Sequence, residues 1–233
     1  MASVLASLDG LLFGILPYVA MFTFLLVTIQ RYLGRAFTYS SLSSQFLENQ
    51  QHFYGLVPFH FGILAVLAGH VVAFFIPSAV LAWNSQPLRL YVLETAALIA
   101  GLLTLIGLML IVSRRWHSWR VRVVTTWADW VVLALLVTQV VGGVYVAIVF
   151  PWGSSWFAAA ASPYLWSLVR LAPDYVAIAV MPLAVKLHIA VAFLIILFFP
   201  FTRLVHILVI PNPYLWRRPQ VVRWYRRSTQ PLG

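Results

Sequence analysis

The chain has 233 residues, of which 63% are hydrophobic and only 9% charged, against roughly 45–50% and 25% in soluble globular domains. A mean hydropathy of +0.94 leaves too little polar surface to clothe a water-soluble fold, so one integral-membrane domain is expected. The net charge of +10 would fit a nucleic-acid partner only on a soluble basic face, but the basic residues fall between apolar stretches, and no nucleic acid is expected.

The absence of cysteine removes disulfides, thiolate zinc sites, iron–sulfur clusters and covalent CxxCH haem attachment from this chain. Any metal it binds must take histidine or oxygen ligands. The N-terminus, MASVLASLDGLLFGILPY, has neither a basic leader nor a small-residue cleavage site and is expected to be retained.

Five apolar stretches approach or exceed the ~20 residues that cross a bilayer core: about Leu11–Tyr32, Leu56–Val80, Leu90–Val112, Trp127–Phe150 and Val176–Val209. None shows the alternating pattern of a membrane barrel, and backbone in lipid must bond internally, so an all-α integral membrane fold is expected. An odd number of spans puts the termini on opposite sides. Twelve of the fifteen basic residues lie on one side: Arg31, Arg35, Arg114, Arg115, Arg120, Arg122, Arg203, Arg217, Arg218, Arg223, Arg226 and Arg227. Only Arg89, Arg170 and Lys186 lie on the other. The positive-inside bias then places the N-terminus outside and the C-terminus in the cytoplasm. The expected organisation is a five-helix transmembrane domain over residues 1–210 followed by a basic cytoplasmic tail over 211–233.

The fourth loop, SSWFAAAASPYLWSLVRLAP, mixes Trp, Tyr and Ala as an interfacial helix lying along the membrane surface would. The fifth stretch is too long for an upright span and contains Pro182 and Pro200, which predicts one tilted or kinked helix.

Four of the six histidines lie inside apolar stretches: His60 and His70 in the second, His188 and His206 in the fifth. An ionisable ring at membrane depth is costly and calls for a partner or a ligand. On one continuous helix His188 and His206, five turns apart, share a stripe and are separated by about 27 Å; His60 and His70 are about 15 Å apart and roughly 80° out of alignment. The second stretch runs outward and the fifth inward, so antiparallel packing matches His60 with His206 toward the cytoplasm and His70 with His188 toward the outside. Each pair fits bis-histidine ligation of a b-type haem between the second and fifth helices. A zinc or copper site would instead gather three or four ligands at one depth with carboxylate help, and no such cluster is visible.

Several flanking residues carry two readings. Lys186 and Arg203 fit either haem propionates or interfacial snorkelling. Gly69 fits either the close approach of a flat ring or ordinary helix packing, and Arg89 either a quinone carbonyl or a lipid headgroup. Glu94 and Asp129 sit near helix starts, where the dipole favours acids, and Asp129 is also placed to pair with arginine. His52 and His117 fall in cytoplasmic loops and receive no role.

The segments YSSLSSQFLENQQ, HFGILAVLAGH, RRWHSWRVRVVTTWADW and KLHIAVAFLIILFFPFTRLVHI, the last followed by PNPYLWRRPQVVR, span nearly the whole chain. Together they resemble the gamma subunit of respiratory nitrate reductase, a membrane cytochrome b. The resemblance implies two b haems, with His60 and His206 on the cytoplasm-side iron and His70 and His188 on the outer one. It also implies a quinol site beside the outer haem, where Gly69 matches a family glycine and Arg89 stands for a family lysine. Lys186 stands where the family can carry arginine. Glu94 falls at a position usually apolar in the family. The implied activity is oxidation of quinol near the outer face of the inner membrane. Electrons then pass to an iron–sulfur subunit and a molybdenum catalytic subunit that reduces nitrate. The basic tail and third loop would meet these partners or anionic lipid. The alternatives are the cytochrome b anchor of another oxidoreductase, such as a formate dehydrogenase, a hydrogenase or a nitrite-oxidising enzyme, and a non-redox helical membrane protein with packing histidines.

Overall fold

The computed structural model describes residues 8–35 and 50–208. The basic tail expected from residue 211 lies outside the described residues, as does most of YSSLSSQFLENQQ. Five helices are long and apolar enough to cross a membrane, and no strand occurs among the described residues. They are α1 (Leu16–Arg35), entered through a π-helical segment Gly10–Ile15, then α2 (Gln50–Phe75), α3 (Pro87–His117), α4 (Trp127–Val149) and α5 (Leu183–Phe198).

Two expected spans are shorter than their apolar stretches, and proline explains both. The second stretch stops at Phe75 because Ile76 leaves helical geometry (φ −129°, ψ 54°) ahead of Pro77, which opens a separate helix, Pro77–Asn84. Proline disfavours helical geometry in the residue before it and suits the first position of a new helix. The fifth stretch is not one tilted helix. Val176–Ala179 is a separate turn and α5 begins only after Pro182. Beyond Phe198 the chain tightens to a 3₁₀ turn, Phe199–Phe201, around Pro200. It is extended at Thr202 (φ −114°, ψ 178°) and re-enters 3₁₀ geometry over Arg203–Leu208. His188 and His206 therefore stand on different elements, and the single stripe and 27 Å rise expected for them do not hold.

The helices pack as an open ring: α2 on α3, α3 on α4, α4 on α5, and α5 on α1. The α2 and α5 helices are not among the extensively packed pairs. The α2–α3 seam is the closest, and glycine makes it so. A Cβ on Gly62 would collide with Thr104 Oγ1 and lie 2.7 Å from the Ala100 carbonyl; one on Gly107 would collide with the Phe59 amide and lie 2.8 Å from the Gly55 carbonyl. Only backbones without side chains at these points can approach so near. Elsewhere the spans turn large apolar side chains outward, including Phe22, Leu33 and Phe61, as a lipid-facing surface requires.

The fourth loop is helical, as its composition predicts, through Gly153–Trp156, a π-helical segment Phe157–Ala161 and Ser162–Val169. Its side chains insert into the bundle. Ser162 Oγ donates to the Ala73 carbonyl (2.6 Å), Trp166 Nε1 to that of Phe74 (3.0 Å) and Tyr164 OH to that of Phe13 (2.9 Å). These bonds join the loop to the ends of α1 and α2. Phe13, Ala161, Tyr164, Leu168, Ile178 and Phe193 bury together beneath it.

Candidate functional site

His60 and His70 lie on α2, about 15 Å apart along its axis, His188 on α5 and His206 on the 3₁₀ segment beyond it. On the α2 pair, Nδ1 is 2.8 Å from the carbonyl four residues earlier, Leu56 for His60 and Val66 for His70. His206 makes the equivalent bond to the Arg203 carbonyl at 2.7 Å. A carbonyl can only accept, so each Nδ1 carries a proton, and the lone pair that the uncharged form of each ring possesses is on Nε2. His117 makes the same kind of bond to Ser113 (2.9 Å) at the end of α3, so this bond alone does not mark a ligand.

His188 lies beside an amide instead. Its Nε2 is 3.2 Å from Gln139 Nε2 on α4, while its Nδ1 and Gln139 Oε1 are buried without a hydrogen-bond partner among the described residues. Gln139, Gly142 and Gly143 share one face of α4 at helical spacing. A Cβ on Gly143 would lie 2.9 Å from His188 Cε1, and one on Gly142 would lie 3.6 Å from Nδ1. The two glycines form a flat bed for the imidazole. His70 is exposed and packs edge-on to Phe157, with ring centroids 5.0 Å apart. Among the described residues, no group of three or more His, Cys, Asp or Glu gathers where it could hold a metal ion.

The two cations beside the histidines both have protein partners. Lys186 Nζ contacts both carboxylate oxygens of Asp9 at 2.9 Å. Arg203 Nε lies 2.9 Å from Asp129 Oδ1, and its Nη2 donates to the Val124 carbonyl (3.1 Å). Asp129 is 3% exposed and does both things its position predicts. It completes a capping box with Thr126 at the start of α4 and pairs with Arg203, with Arg115 Nη1 at 3.8 Å. Buried carboxylates persist only with this kind of compensation.

At the His70 end, Arg89 is exposed, with its guanidinium 5.2 Å from the centre of the Trp83 ring. Gly69 is exposed too, and a Cβ there would meet nothing within 4 Å. Glu94 Oε1 accepts from the Ser154 amide (2.8 Å) and hydroxyl (2.6 Å), while Asn84 Nδ2 donates to Ser154 and Ser155 Oγ, each at 2.9 Å. Glu94 thus ties α3 to the fourth loop.

Gln139, Gly142 and Gly143 were not singled out in the sequence. The signal for Gln139 is a lone amide in a span whose other residues between Trp130 and Val149 are apolar, Thr138, the two glycines and Tyr145 apart; a polar group at that depth needs a partner.

Five helices long and apolar enough to cross a bilayer, with histidines on the second and fifth, define a multi-pass membrane protein. The chain belongs to the nitrate reductase gamma subunit family, whose model matches residues 9–225. It is 31% identical over 216 residues to the nitrate reductase gamma chain of Bacillus subtilis, covering 91% of this chain and 97% of that one. Identity is also 31% over 225 residues to the respiratory nitrate reductase 1 gamma chain of Escherichia coli, covering 93% and 97%. A match to the nitrate reductase-like protein NarX of Mycobacterium tuberculosis, 31% identical over 218 residues, takes in 89% of this chain but 32% of that protein. Family and fold together make this chain a membrane-anchor subunit of a nitrate reductase.

Proposed function

We propose that the chain is a di-haem cytochrome b that oxidises quinol near the outer face of the inner membrane. It delivers the electrons to an iron–sulfur subunit and a molybdenum catalytic subunit on the cytoplasmic side. Residues 1–210 are the proposed cytochrome domain, with the N-terminus outside, and 211–233 the proposed cytoplasmic tail, facing those partners and anionic lipid. His60 and His206 are the proposed ligands of the inner iron, His70 and His188 of the outer one. Bound b haems supply one-electron carriers at two depths of the membrane.

The observation that carries this reading is the pair of ring-bearing segments, α2 and the stretch beyond α5, on which His60, His70 and His206 each bond a carbonyl through Nδ1 and so present Nε2. A histidine that binds metal through Nε2 gives its Nδ1 proton to a carbonyl or carboxylate, which fixes the ring and raises its basicity. His60, His70 and His206 meet that requirement. The α2 and α5 helices are also not extensively packed on each other, which suits a flat group held between them. Lys186 and Arg203 are the proposed cationic partners of the haem propionates, in competition with Asp9 and Asp129. Arg89 and Gly69 are the proposed quinol-site residues: the guanidinium donates to a quinone oxygen and the bare backbone admits the ring. Quinol releases two protons and two electrons there, and the protons leave at the outer face.

Replacing His70 or His188 tests the assignment. The outer haem and quinol oxidation are expected to disappear while an artificial cytoplasmic donor still reduces the partner subunits. Unchanged quinol oxidation would overturn it.

A further inference from the structure

We infer that Asp129 is a positioning residue for His206: it grips the Arg203 side chain, and the Arg203 carbonyl grips the imidazole. The inference rests on the reading of His206 as an axial ligand. That ligand has an unusual support. His60, His70 and His188 stand inside long helices, whereas His206 stands on a 3₁₀ segment, Arg203–Leu208, beyond the extended residue Thr202. Continuous α-helical hydrogen bonding does not fix its orientation, so other contacts must.

Those contacts come from two neighbouring helices. From α1, Arg31 Nη1 donates to the carbonyls of Pro200 (2.7 Å) and Thr202 (3.1 Å). Within the turn, Thr202 Oγ1 donates to the Phe199 carbonyl (2.9 Å) and accepts from the Leu204 amide (3.2 Å). From α4, Asp129 Oδ1 holds Arg203 Nε at 2.9 Å, and from the turn ahead of α4 the Val124 carbonyl takes Nη2 at 3.1 Å. Arg203 is therefore clamped through its side chain while its own carbonyl accepts the Nδ1 proton of His206 at 2.7 Å. Asp129 is in turn rigid. Its Oδ2 accepts from the Thr126 amide (2.9 Å) and hydroxyl (3.0 Å), and it is 3% exposed.

Capping and positioning are separable because they use different properties of one side chain. Asparagine retains an oxygen that can reach back to the Thr126 amide, so Asp129→Asn preserves the capping box. It removes the charge that holds Arg203, and a guanidinium left without its buried partner swings toward water. The turn and the His206 ring plane follow it. The relative orientation of two axial imidazoles is read directly in the EPR g-values of a low-spin ferric haem, and ring basicity in the midpoint potential.

The experiment compares the purified wild-type complex with Asp129→Asn and Asp129→Glu by haem content, EPR and redox titration. Asp129→Asn is expected to leave the outer haem's g-values and potential as in wild type, while the inner haem shifts in both or is lost. Asp129→Glu, which restores a carboxylate, should return the inner signal toward wild type. Two unaltered haems in Asp129→Asn would reduce Asp129 to a helix cap and overturn the inference, with the proposed function standing. Loss of both haems together in Asp129→Asn and Asp129→Glu would assign it to the fold at large and overturn the inference equally. A wild-type complex without haem would overturn the proposed function, and this inference with it.

Discussion

Replacing Gly143 with alanine probes the bed beneath His188. The new methyl group would lie 2.9 Å from His188 Cε1 and 3.6 Å from each ring nitrogen, where favourable carbon contacts begin at about 3.5 Å. The ring must give way by roughly 0.6 Å or more, and moving it breaks the 3.2 Å contact with Gln139. Overpacking of this size costs about 1–3 kcal/mol, and alanine returns ~0.5–1 kcal/mol through its better helix propensity. Mid-range values leave a net loss of roughly 1.3 kcal/mol, which corresponds to an affinity for the outer haem lowered about 8-fold. Haem content measured at graded haem supply, with the two haems separated by potential, reads this directly. The paired control is Gly142→Ala, whose methyl would make an ordinary 3.6 Å contact and should leave the outer haem in place. Gly143→Ala with wild-type outer-haem affinity would refute the placement of His188 against α4.

Removing the amide in Gln139→Leu should shift the outer haem's midpoint potential and leave the inner one fixed; equal shifts at both haems would show a general disturbance instead. Gly107→Ala drives a methyl into the Phe59 amide on α2 and should cost about 1–3 kcal/mol, seen as a lower unfolding temperature in detergent and less protein in the membrane. Gly69→Ala, with nothing within 4 Å, should not lower that temperature. Tyr164→Phe loses the 2.9 Å bond to the Phe13 carbonyl and should destabilise by about 1–2 kcal/mol. Burial, and secondarily Tyr18, pushes the Tyr164 hydroxyl above its ordinary value of 10.0. Above pH 10 the folded state keeps a proton that the unfolded chain has released, so this residue's contribution to stability falls as pH rises further. The wild type should therefore lose stability more steeply than Tyr164→Phe in alkaline denaturation, and equal slopes would contradict that account.

The five spans were legible because hydropathy and length report directly on the bilayer, and all five apolar stretches contain a long helix. The pairing of Asp129 with arginine was legible too, since it is the acid that directly follows the arginine-rich third loop. The shape of the last stretch was not. Pro182 and Pro200 advertise a disturbance, but whether a proline kinks a helix or ends it depends on what satisfies the released carbonyls. Here the helix ends, and the carbonyls of Pro200 and Thr202 that no further turn bonds are taken by Arg31, from 169 and 171 residues earlier in the chain. Lys186 presented the same difficulty, its partner Asp9 lying 177 residues away. Gly142 and Gly143 carry no mark in the sequence, and their use shows only with the His188 ring placed against them. Linear spacing gives which residues share a helix face, and long-range partners decide what that face does.

The central claim is that four imidazoles hold two non-covalent b haems. Pyridine haemochrome analysis of the purified complex, normalised to this chain, tests it most directly. The account predicts two protohaems per chain, extractable with acidified acetone; one haem or none would contradict it.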